Sequence, residues 1–229
     1  MADITTEMLD FAADGEKASG FLTRPQGDGP FPGVVVIQEW WGLNDNIKDI
    51  AQRFAREGFA AFAPDLYHGK VAAEPDEAQK AMMALDMPRA VRELVKATEY
   101  LSQRPYINGR GIGAVGFCMG GGLALMLASE SPLIKAVAPF YGMNPSPAEK
   151  LQNVKGPVFA VYAEHDSWVN EAVRAELEMQ IRNGGKQVET MVYPGTEHGF
   201  FNDTRPEVFK QAAADDAWGR VLSLFRAEL

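Results

Sequence analysis

Five apolar runs, each bounded by turn-forming residues, constrain this chain more than any other feature. They are "GVVVIQE" (33–39), "FAAFAPDLY" (59–67), "GIGAVGF" (111–117), "IKAVAPFYG" (134–142) and "GPVFAVYAEHD" (156–166). Continuous apolar runs of this length belong to strands buried on both faces. Segments at helical spacing lie between them. "NDNIKDIAQRFAREG" places Ile47, Ile50, Ala51, Phe54 and Ala55 on one face and ends at Gly58. "DEAQKAMMALD", "MPRAVRELVKATEYLSQ", "MGGGLALMLASE" (119–130), "EAVRAELEMQIRNGG" (171–185) and the closing "PEVFKQAAADDAWGRVLSLFRAEL" read as helices, and "VETMVYPG" (188–195) as the last strand. The alternation predicts an α/β fold: a largely parallel, doubly wound sheet with helices on both faces. "ITTEMLDF" and "KASGFLTRP", split by the turn "ADGE", predict an antiparallel hairpin at one sheet edge. No linker, repeat or low-complexity segment interrupts residues 1–229, which reads as one domain.

Composition narrows the functional classes. The net charge is −9 and acidic residues are spread along the chain. Nucleic acid and anionic membrane both require a basic face, so neither is an expected partner. No run reaches the ~18 apolar residues of a membrane span. The N-terminal residues lack the basic and apolar regions of a signal peptide, which predicts a cytoplasmic protein. The single cysteine excludes an internal disulfide and any cysteine-rich zinc site. The expected assembly is a monomer or small homo-oligomer.

That cysteine, Cys118, sits in "GAVGFCMGGGLAL" (113–125). A lone cysteine is ordinarily a buried, inert thiol. Here "GFCMG" fits G-x-nucleophile-x-G between an apolar strand and a helix. Such a sharp turn presents the central side chain at the C-terminal edge of a sheet, with Gly116 and Gly120 allowing close backbone approach. The helix N-terminus beneath would stabilise a thiolate and supply an oxyanion donor. The overlapping "GIGAVG" (111–116) matches a dinucleotide fingerprint literally. Its glycines run along the strand rather than between strand and helix, so no nucleotide is expected.

A thiol nucleophile needs a base, and the base an orienting carboxylate, in the chain order nucleophile, acid, histidine. Of the three histidines, His68 precedes Cys118. His198, in "YPGTEHGFF", follows the last strand; Asp166, in "YAEHDSWV", follows the strand before it. Both occupy C-terminal strand ends, where sheets of this kind bind ligands. His165 adjoins Asp166 and must point elsewhere. Asp203 and Glu197 are rival acids that flank His198 too closely, and Asp166 could instead be a helix cap or turn residue. In "VVVIQEWWGLN" (34–44), Glu39 closes a buried strand and leads into two tryptophans. This loop supplies the second oxyanion N–H in such folds, which makes the backbone N–H groups of Trp40 and Met119 candidate donors.

With "QEWWGLN", "APDLYHGK", "GAVGFCMGGGLAL", "YAEHDSWV" and "PGTEHGFFND" read together, the chain resembles the dienelactone hydrolase family of α/β-hydrolases over nearly its whole length. The resemblance implies Cys118 as nucleophile, His198 as base, Asp166 as orienting acid, and Glu39 as a partner of the resting thiol that takes its proton when substrate binds. It implies no metal or cofactor. Dienelactone-cleaving members grip the substrate carboxylate with two arginines. Here Asn202 stands where one is expected in "HGFFNDTR", and "AAEPDEAQKAMM" has no arginine for the other. Arg205 and Arg89 lie nearby. Trp41, Phe200, Asn202 and Arg205 are the candidate pocket residues. The tryptophans with Met82, Met83 and Met87 suggest an apolar pocket, although methionines at helical spacing also serve cores. The expected activity is cleavage of a small ester or lactone by a cysteine hydrolase. A general carboxylesterase or thioesterase on the same fold, a non-catalytic binding protein and a redox-sensing thiol are the alternatives.

Overall fold

Each apolar run folds as a strand whose residues alternate between two hydrophobic cores. The computed structural model describes residues 3–13, 15–143 and 147–229; Asp14 of the predicted "ADGE" turn lies outside them. The strands are β1 (Ile4–Ala13), β2 (Glu16–Pro25), β3 (Phe31–Ile37), β4 (Ala60–Pro64), β5 (Ile107–Phe117), β6 (Ile134–Phe140), β7 (Val158–His165) and β8 (Val188–Glu197). The helices are α1 (Asp45–Arg56), α2 (Pro75–Ala84), α3 (Met87–Ser102), α4 (Met119–Glu130), α5 (Glu171–Asn183) and α6 (Gln211–Glu228). Among the described residues the eight strands form one sheet in the order β1-β2-β4-β3-β5-β6-β7-β8. β3 to β8 run parallel, and β2 joins β4 antiparallel. The N-terminal hairpin is antiparallel, with β1 at the edge.

Val35 and Ile37 face a core shared with α3, α4 and α5, while Val34 and Val36 face one shared with α1 and α6. All four are fully buried, and each such side chain contributes about 1.5–3 kcal/mol over leaving it in water. Helix starts are set by side-chain caps. Asn44 accepts the Ile47 N–H, Asp86 that of Arg89, and Asn170 that of Val173, each satisfying a donor the first turn cannot.

Several boundaries differ from the sequence reading. β4 stops at Pro64, because Asp65 turns the chain by accepting the Tyr67 and Gly69 N–H groups. β3 ends at Ile37, so Glu39 stands two residues beyond the strand. β5 starts four residues early, where Ile107 pairs with Phe31. α6 begins at Gln211 rather than Pro206, and an unforeseen 3-10 helix spans Ala148–Asn153. No helix among the described residues is long and apolar enough to cross a membrane.

Candidate active site

Cys118 stands between β5 and α4, capping the helix with φ 54 and ψ −119. A non-glycine residue holds this conformation only when its surroundings enforce it. Its N–H donates to the Phe140 carbonyl (3.0 Å), and its own carbonyl accepts from Gly121 (2.9 Å). A Cβ on Gly116 would run into the Gly120 carbonyl. One on Gly120 would lie 2.5 Å from the Ile37 carbonyl oxygen and nearer still to that of Gln38. The first turn of α4 therefore rests directly on the end of β3. Met119 opens that turn and Trp40 lies two residues past Gln38; neither N–H has a backbone hydrogen-bond partner among the described residues.

β8 ends at Glu197, which makes His198 the first residue past the strand. Asp166 stands just past β7. One of its carboxylate oxygens accepts the Trp168 (2.8 Å) and Val169 (3.0 Å) N–H groups. The other meets His198 Nδ1 at 2.8 Å. Asp166 is thus both the predicted turn residue and the partner of His198; Asn170, not Asp166, caps α5. A carboxylate can only accept, so Nδ1 carries the proton and Nε2 is left for Cys118. Burial alone would push the imidazole down. Hydrogen bonding to Asp166 and Cys118, with their charges, more than offsets it and raises His198 to about 10. Burial likewise opposes the charge on Asp166, but His198 and the two backbone N–H groups hold its carboxyl below the usual range.

Glu39 is 5% exposed. Burial raises its carboxyl, only partly countered by a hydrogen bond from Asn202 Nδ2 (3.1 Å) and by the charges of His198 and Arg205. Asn202 is fixed in turn, its Oδ1 accepting the Thr204 N–H and hydroxyl.

Two tyrosines, unforeseen from the sequence, complete the surroundings. Tyr141, at the end of β6 with φ 38, packs its ring 4.8 Å from the His198 ring. Its buried hydroxyl lies near enough to Glu39 for each to feel the other, yet among the described residues it meets no partner at hydrogen-bonding geometry. Tyr67, past β4, brings its hydroxyl to 3.6 Å from Met119 Sδ. The one sequence cue for both was position, just beyond the apolar part of a strand.

The other predicted residues separate. Trp41 is half-buried, edge-on to Trp40 (5.3 Å). Phe200, expected in the pocket, has no exposed surface; it is wedged against Tyr141 and Tyr193. Arg205 pairs with Glu207 (2.9 Å) yet remains near enough for its charge to reach Glu39, whereas Arg89 is held by Glu93 (2.8 Å) and Glu16 (2.7 Å). Met83 is exposed, while Met87 packs on the core. His165 turns to Glu164, His68 to Glu93, and Asp203 to Asn46 and Arg53. A cavity of about 240 Å³ opens beside Tyr67, His68 and Arg89. A larger hollow beside α6 lies at the start of β7 and β8, at the far end of the strands from Cys118. Among the described residues no group of three or more acidic, histidine or cysteine side chains converges as a metal site.

Known proteins match this chain over nearly their whole length. Protein usf of Aquifex pyrophilus is 38% identical over 230 residues, 97% of this chain and 99% of that protein. An Aquifex aeolicus protein with the provisional name carboxymethylenebutenolidase is 34% identical, with the same coverage. The structure of a provisionally named dienelactone hydrolase from Klebsiella pneumoniae superposes with a TM-score of 0.89 at 25% identity, over 98% of this chain and 99% of that one. The model of the dienelactone hydrolase family matches residues 18–229. The chain has the α/β-hydrolase fold and belongs to the dienelactone hydrolase family.

Proposed function

We propose that the protein is a cysteine hydrolase that cleaves a small ester or lactone through a thioester acyl-enzyme. The observation that carries this reading is the 2.8 Å contact of His198 Nδ1 with Asp166, with the Cys118 sulfur on the imidazole's other side. The Cys118 thiolate attacks the carbonyl carbon, and the carbonyl electrons move onto oxygen, which the Trp40 and Met119 N–H groups receive. As the tetrahedral adduct collapses, the C–O bond breaks and His198 Nε2 protonates the leaving oxygen. His198 then removes a proton from water, which attacks the thioester and releases the acid and the thiolate. In a lactone the leaving oxygen stays tethered to the acyl chain. Glu39 takes the thiol proton when substrate displaces it from its resting place, so His198 enters the reaction as the imidazolium that its raised proton affinity favours and supplies its own Nε2 proton to the leaving oxygen; Glu39 returns its proton to the thiolate released from the thioester.

Cys118→Ala tests the reading. It should abolish turnover of an aryl ester, while wild type quenched during turnover carries the acyl mass on Cys118. Retained turnover by Cys118→Ala overturns the nucleophile assignment.

A second reading of the substrate, a simple carboxylic ester without a further carboxylate, is favoured by one observation. Asn202, where the resemblance places an arginine, is committed to Glu39, and Arg205 and Arg89 are each held by acids.

A further inference from the structure

In the sheet, β3 stands between β4 and β5. The loop that follows β4 nonetheless reaches α4, because the Tyr67 hydroxyl lies 3.6 Å from Met119 Sδ. To do so it passes over the segment after β3, which carries Glu39 and Trp40. Tyr67 therefore stands beside Met119, close enough to Cys118 for the two groups to interact electrostatically.

The loop is built to hold that position. Asp65 is buried and accepts the Tyr67 N–H at 3.1 Å as well as that of Gly69. Gln38 Oε1, next to Glu39, accepts the Leu66 N–H at 3.2 Å. The Ala72 N–H donates to the Trp41 carbonyl at 2.9 Å. A Cβ on Gly42 would stand 3.2 Å from Tyr67 Cδ2, so the ring lies directly over a position that only glycine leaves open. His68, the next residue, takes the left-handed φ of 51, a strain that surrounding contacts must maintain.

A hydroxyl held this firmly should have a reason. Tyr67 is 7% exposed, and among the described residues its hydroxyl has a single partner, a thioether. Sulfur in methionine is a weak acceptor, whereas buried tyrosine hydroxyls ordinarily find a full oxygen or nitrogen partner. Burial, and then the charge of Cys118, push the phenol up to about 12. It keeps its proton at any working pH and is a donor with its hydrogen to spare.

We propose that Tyr67 is a further catalytic residue, whose hydroxyl donates to the reacting carbonyl oxygen as a third oxyanion donor beside the Trp40 and Met119 N–H groups. The proposal rests on the acyl-transfer reading above. Preorganised donors act where charge develops, so the loss should fall on the transition state rather than on substrate binding.

Tyr67→Phe tests it, since the change deletes one oxygen and keeps the ring on Gly42. With an aryl ester, kcat should fall by about 10²-fold, the scale of one lost oxyanion donor, while KM stays nearly constant. Two further measurements separate catalysis from mere packing. An aldehyde matching the acyl group adds to Cys118, a C–S bond forming as the thiol proton passes to the carbonyl oxygen. Its inhibition constant should weaken by a factor similar to the loss in kcat/KM. Alkylation by iodoacetamide involves no oxyanion, so its rate and the thermal midpoint should match wild type. Unchanged kcat, or alkylation slowed in parallel with turnover, overturns the assignment. If instead Cys118→Ala retains turnover, the acyl-transfer reading itself fails, and Tyr67 falls with it.

Discussion

The same substitution, glycine to alanine inside a helix, should have opposite signs at two positions. Gly120 lies in the first turn of α4 and Gly219 in the middle of α6. At Gly219 an added Cβ meets nothing within 4 Å. Alanine there should stabilise the fold by about 0.5–1 kcal/mol, through helix propensity and a less disordered unfolded chain. At Gly120 the Cβ would lie 2.5 Å from the Ile37 carbonyl oxygen and closer to that of Gln38. Both obstacles are backbone atoms, with no flexible side-chain end to swing aside. Relief requires α4 to lift from the end of β3, at a cost of about 1–3 kcal/mol. For a chain of this length that lowers the melting midpoint by roughly 2–4 °C per kcal/mol. The same movement draws the Met119 N–H away from that of Trp40. A misplacement of about 1 Å is worth on the order of 10² in rate. Thermal melts followed by circular dichroism, with kcat on an aryl ester, read both effects. Gly219→Ala should melt higher at full activity, and Gly120→Ala lower with kcat reduced about 10²-fold. Equal tolerance of the two alanines would refute the claim that backbone contact between α4 and β3 sets the proposed oxyanion site.

Other outcomes follow from the charges around Cys118. Asp166→Asn removes the strongest contributor to the raised imidazole of His198, so kcat should drop by roughly 10³–10⁴ and the alkaline limb of the pH–rate profile should move down from about 10. The raised imidazole adds stability that is complete below its ordinary 6.5 and lost as pH rises through about 10. The melting difference between wild type and Asp166→Asn should therefore shrink at high pH in melts run from pH 6 to 11. Asn202→Ala deletes the hydrogen bond that favours the charged form of Glu39. Its carboxyl should rise further, moving the acidic limb of iodoacetamide labelling upward; Thr204→Val, which leaves that donor in place, should not move it. Esters lacking a second carboxylate should be turned over at least as fast as those bearing one, because Arg89 and Arg205 already have acidic partners; a strict carboxylate requirement in a substrate panel would count against this.

What could be read in one dimension was whatever is encoded between near neighbours. The apolar run at 33–39 predicts a doubly buried strand, and Val34 to Ile37 duly divide between two cores. α4 spans Met119–Glu130, because the turn at Cys118 and the apolar stretch after it mark both ends locally. Places at strand ends single out Cys118, Asp166 and His198 as the proposed triad, and the fold brings Asp166 to 2.8 Å from His198. Other features depend on strand order, which no local pattern carries. "INGRG" has no apolar rhythm, yet Ile107 extends β5 because Phe31 is there to pair with it. The two phenylalanines of "HGFF" offer no periodicity, and Phe200 is buried because Tyr141 and Tyr193 close over it. Asn202 interrupts the expected arginine pattern, but that it is given over to Glu39 requires contact across 163 residues. Tyr67 is the furthest case, since its hydroxyl matters only because β3 lies between β4 and β5. The residues proposed to bear the chemistry sit at strand ends, where local turns announce them. Those that tune it arrive from neighbouring strands, and sheet order, not spacing, decides which they are.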